Sequence, residues 1–161
     1  GVYDLSLCHK THTSNTLPRA RHWAVGQAAA FAEGMRLLST RAGKSWSEFA
    51  ELECYQCHHD LRADSWRIQR GYAGRRPGSL QVNQARVDLF RLLVAQAAPG
   101  QAGAINAAIQ QVSSTVSTRF SDGAAVAAAA ANAARQADSV VTAMAGADNA
   151  AEVIEALAPT R

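Results

Sequence analysis

The chain lacks long hydrophobic runs, is poor in aromatic residues and carries only three cysteines among 161 residues. No apolar stretch approaches the roughly 20 residues that a membrane-spanning helix needs. No charged N-terminal region followed by an apolar core marks a secretory leader. The chain begins at Gly1 rather than Met, so it is expected to be a processed product, a fragment, or a chain whose beginning is missing. Three cysteines are too few, and odd in number, for a disulfide framework. With 6% aromatics and abundant alanine, the composition favours helices over sheets, and an all-α fold is expected.

Charge of one sign is also scarce overall, since the formal net charge is only +3, but its placement is uneven. Arg62, Arg67, Arg70, Arg75, Arg76, Arg86 and Arg91 face only Asp64 and Asp88 in their stretch. Such a surface suits phosphate, carboxylate or other anionic partners, and equally a solvated face. Nucleic-acid binding has only this cluster in its favour, without interleaved aromatics or a recognisable module. No Ser/His/Asp set, acid pair or phosphate-binding glycine loop points to hydrolytic or phosphoryl chemistry.

Residues Gly1 to Leu17 read as loop, rich in turn and cap formers. Pro18 suits a first helical turn, and Trp23, Ala24, Ala28, Phe31, Met35 and Leu38 follow as an apolar stripe. Ser45 and Glu48 form a capping-box pattern that predicts a second helix with Trp46, Phe49 and Leu52 on its buried side. Asn83 is expected to cap a third helix running to about Ala98, with Val87, Phe90, Leu93 and Val94 inward and Pro99-Gly100 ending it. Ile105, Ile109, Val112 and Val116 repeat at helical steps. Ser121-Asp122-Gly123 starts a helix towards Met144, and Asp148 a last one with Val153, Ile154 and Leu157. A composition shift at Pro99-Gly100 divides the chain into a cofactor-bearing part, residues 1–98, and an Ala-rich helical packing part, residues 99–161. The latter has no histidine or cysteine. It is expected to dock another subunit or another copy, with an intramolecular bundle as the alternative.

Most of the histidine inventory sits beside cysteine. In Cys54-Tyr55-Gln56-Cys57-His58-His59, the two thiols are spaced to form thioethers with both vinyl groups of one haem, and the adjoining His58 reaches the iron from one side. A redox disulfide or zinc half-site would explain a bare cysteine pair, but not the histidine that follows it.

In its first 60 or so residues the chain resembles the multihaem cytochromes c. Cys8-His9, then Arg21-His22-Trp23-Ala24, then Cys54 to His58 stand in the order of two successive haem units. The resemblance implies that His9 and His58 are proximal ligands and that His22, early on a helix, supplies a distal bond. It also implies bis-histidine electron transfer and haem attachment outside the cytoplasm, with an export signal in the precursor and a periplasmic or cell-surface location. Other redox proteins or cytochrome subunits would be its partners. The departure is Leu5, which stands where the first cysteine of the first motif would be, leaving Cys8 to form a single thioether.

His59 points about a quarter turn from His58 on a helix, so it is placed to ligate a neighbouring haem, or else to bond a propionate or face solvent. His12 has the same two readings. Met35 and Met144 are soft neutral ligands, though both fall on apolar stripes that favour core packing. Propionates call for a cation, and Arg67 beside Trp66 is the expected partner. Two alternatives compete. Cys8, His12, Cys54 and Cys57 would make a tetrahedral zinc site, and a haem lacking one distal ligand would make an enzyme with an open iron.

Overall fold

The computed structural model describes residues 17–46, 49–54, 62, 64, 79–83 and 86–146. Among them the fold is all-α, with four α-helices and no β-strand: α1 Leu17–Lys44, α2 Val87–Ala97, α3 Ala102–Thr118 and α4 Gly123–Gly146. No described helix is long and apolar enough to cross a membrane.

The helix α1 buries Ala24, Ala28, Phe31, Ala32, Leu38 and Ala42, a stripe at three- and four-residue steps. Arg41 and Lys44 lie in its last turn, where cations complement the negative end of the helix dipole. Trp23, expected on this stripe, is instead 44% exposed, because it precedes the alanine row by one position and so turns about 100° away from it.

The predicted second helix does not form. Phe49–Glu51 make a single 3-10 turn, and Leu52 then forms an isolated antiparallel bridge with Val82. Glu53 N–H donates to the Gln81 carbonyl at 3.1 Å, and Asn83 N–H to the Glu51 carbonyl at 2.9 Å. These backbone groups pair across 30 residues rather than along a helix. Phe49 is accordingly 70% exposed while Leu52 is buried. Trp46 is half-buried by a different route, its indole N–H donating to the Phe120 carbonyl at 2.6 Å and its ring tilted against Phe120 with centroids 5.4 Å apart. Asn83 is not the cap of α2. That helix begins after Arg86, which holds the N-cap position without a side-chain bond.

The remaining helices follow their patterns. Val87, Phe90, Leu93 and Val94 of α2, and Ile105, Ile109, Val112 and Val116 of α3, are all buried. Asp122 accepts a bond from the Ala125 backbone N–H at 2.8 Å, the N-capping role expected of it. Of the loop predicted over residues 1–17 only Leu17 is described, and it opens α1 rather than ending a loop; the rest of that loop and the helix from Asp148 lie outside the described residues.

Among the described residues two hydrophobic clusters make the core, and each draws on both sides of Pro99. In one, Phe31 stacks on Phe90 with centroids 4.2 Å apart, among Ala28, Leu93, Ile105, Val140 and Met144. In the other, Leu38 and Ala42 meet Leu52, Val82, Val116, Val126 and Ala130. The Ala-rich α4 lies against α1 of the same chain. Ser39 Oγ donates to the Ala127 carbonyl at 2.9 Å, and the Arg36 guanidinium reaches both carboxylate oxygens of Asp138 at 2.5 Å. With Ala42 beside Gly123, these pairs run in opposite sequence directions, so the two helices are antiparallel. Alanine at 129, 130, 133, 134 and 137 lets the backbones approach closely. The bond to Asp138 holds the Arg36 guanidinium above its ordinary pKa; both groups are substantially exposed, and such pairs add little stability.

Gly123 marks the tightest point of this packing. A Cβ there would stand 2.6 Å from the Ala42 carbonyl oxygen and 3.0 Å from Trp46 Cβ. The first neighbour is backbone and cannot rotate aside. Gly123→Ala should therefore destabilise the fold by about 1–3 kcal/mol, as overpacking does, despite the better helix propensity of alanine. Urea denaturation checks this, and a midpoint equal to or above that of the parent would show that α4 does not sit this close to α1.

Candidate functional site

Of the residues that the sequence singles out, Cys54 and His22 are described, as are Met35 and Met144. Cys57, His58, His59, Cys8, His9, His12 and Arg67 lie outside the described residues. Among the described residues no group of three or more His, Cys, Asp or Glu is gathered in one place.

Cys54 is an exposed free thiol held at the end of a short anchored segment. Two residues before it, Leu52 is buried and bridged to Val82. Three residues before it, the Glu51 carboxylate pairs with Arg41 of α1. The 3-10 turn and the bridge thus fix the chain to the bundle immediately before the Cys-x-x-Cys-His motif begins, and present the first thiol to the outside.

Beside this segment lies a cleft of about 280 Å³ between α1 and the start of α2. Phe31, Met35, Val82 and Val87 give it apolar walls, Ala50 and Glu51 belong to the segment that leads to Cys54, and Gly34 leaves one side open. Arg86, which also lines the cleft, is exposed. No described carboxylate pairs with its guanidinium, whereas Arg36, Arg41, Arg91 and Arg119 each have one within ion-pair distance. In the sequence Arg86 is one of several arginines in its stretch. Nothing in its spacing distinguishes it, since the cleft is assembled from three separated segments.

His22 is exposed near the start of α1. It stands nine residues before Phe31, which is about 14 Å along the axis and on the opposite side of the helix. The structure therefore separates His22 from the cleft. Met144 is buried in the core and Met35 is partly buried against both clusters, the packing roles expected of them.

No protein-family model, curated protein or solved structure matches the chain.

Proposed function

We propose that this chain is an electron carrier that binds haem c covalently through Cys54 and Cys57, with His58 as the proximal ligand. The observation that carries the reading is the run Cys54-Tyr55-Gln56-Cys57-His58, in which two thiols and a histidine have the spacing of haem attachment. The placement of Cys54 supports it. An exposed thiol at the end of a tethered segment, beside an apolar cleft, is accessible for thioether formation and next to a surface that an apolar ring can cover.

A second haem is proposed at Cys8 and His9, held by one thioether, with His22 as a distal ligand and His59 and His12 as further candidates. His22 suits that role because the helix backbone fixes it while its side chain stays exposed. The bound haem supplies one-electron exchange at iron. The protein's part is to close both axial positions so that the ligand set is the same in both redox states and little rearrangement accompanies transfer. Partners would be other redox proteins, met in the periplasm or at the cell surface, and the precursor would carry an export signal.

Electron paramagnetic resonance of the intact chain and of His22→Ala tests the ligation. The parent should be low-spin and inert to carbon monoxide. The variant should show high-spin signal on one iron and bind carbon monoxide there. Identical spectra would reject His22 as a ligand, and rapid carbon monoxide binding by the parent would indicate an open-iron enzyme. A chain without a Soret band that retains zinc would replace haem with the tetrahedral site of Cys8, His12, Cys54 and Cys57.

A further inference from the structure

We infer that the cleft between α1 and the start of α2 seats one edge of the haem attached at Cys54, and that Arg86 pairs with a propionate of that haem. The inference rests on the proposed covalent attachment and adds to it the surface that receives the ring.

The cleft's size and lining are the first argument. At about 280 Å³ it falls just below the roughly 300–1,000 Å³ of pockets that enclose a whole small ligand, so it takes one edge of a macrocycle. Phe31, Met35, Val82 and Val87 give it an apolar wall for a ring, and Glu51, Asn83 and Arg86 are the polar residues of the lining.

Reach is the second. Ala50 and Glu51 line the cleft, and the three residues from Glu51 to Cys54 span at most about 10 Å. A ring tethered at the Cys54 sulfur is held beside this cleft.

Charge is the third. Glu51, the one carboxylate in the lining, is neutralised by Arg41, so the wall does not repel an anionic edge. Arg86 offers an exposed guanidinium without a described carboxylate partner, and its fork matches a carboxylate in geometry and sign.

The placement also assigns His22. Lying about 14 Å from Phe31 along α1 and on its opposite side, His22 serves a different iron from the haem seated here.

The test uses the loaded, full-length chain and two substitutions, Arg86→Gln and Gly34→Leu, with Arg86→Lys as the conservative control. A Cβ added at Gly34 meets nothing within 4 Å and Gly34 lines the cleft, so Gly34→Leu extends a side chain into the cleft, and improves helix propensity. Denaturing intact mass first establishes that each protein carries covalent haem. Arg86→Gln should lower the midpoint potential of one haem, because removing a nearby cation favours the oxidised, more positive iron, and Arg86→Lys should restore most of the shift. Gly34→Leu should change the Soret circular dichroism with no loss of thermal stability. If haem is attached and both substitutions leave potential and Soret dichroism unchanged, the seat is elsewhere while the attachment stands. If the parent carries no haem, the attachment and the seat fall together.

Discussion

Removing Ala102–Arg161 should abolish cooperative folding of everything that remains. The composition shift at Pro99 suggests a separable packing part, whose loss would disturb association and spare the haem spectrum. The packing of α4 against α1 leads to the opposite expectation. The truncation strips the cover from Ala24, Ala28, Phe31, Leu38 and Ala42, and takes away Ile105, Ile109, Val112, Val116, Val126, Val140 and Met144, all buried. At about 1.5–3 kcal/mol for each large apolar side chain, that loss is comparable to the whole net stability of a domain, about 5–15 kcal/mol. Far-ultraviolet circular dichroism should show most helical signal lost and no cooperative thermal transition. Ala137→Asp should act in the same direction within the full chain, since it places a carboxylate at a fully buried position against α1. A truncated protein that unfolds cooperatively with its helices intact would show that residues 17–98 form a core of their own.

The helices were legible where a periodic stripe lies within one segment. Ile105, Ile109, Val112 and Val116 face the core as their spacing dictates, and Asp122 caps the helix that its Ser-Asp-Gly context announces. The failures have one physical source. Ser45 and Glu48 signal a helix start locally, but the backbone of residues 51–53 pairs with residues 81–83, a choice made by partners that no local period reveals. The close approach at Gly123 is equally non-local, because the atom that excludes a side chain there belongs to Ala42.

The candidate site divides the same way. The proposed covalent chemistry is readable because thiol and histidine spacing is a property of one short run. The cleft is not, because Phe31, Glu51, Val82 and Arg86 come from separated segments that only the fold brings together. For that reason Arg67 stood out in the sequence beside Trp66, whereas Arg86 emerges only from its position at the cleft.

The second large effect concerns attachment itself. Cys54→Ser with Cys57→Ser should eliminate covalent haem at this motif, because serine offers no thiol to add across a vinyl group. Cys54 is exposed and takes no part in the buried clusters that hold the helices together. The bundle of α1 to α4 should therefore keep its helical signal in the apoprotein, and the loss should be one of cofactor rather than of fold. A collapse of helical signal in this variant would instead assign the motif a structural role, as a zinc site would have.

Intact mass under denaturing conditions, after acid-acetone extraction of natively produced chain, decides whether haem is covalently attached. One or two covalent haems are expected on the unmodified protein. One fewer is expected on the Cys54→Ser, Cys57→Ser variant, and a single haem on the parent would leave Cys8 a thiol. Recovery of the bare polypeptide mass from the unmodified chain would contradict covalent attachment.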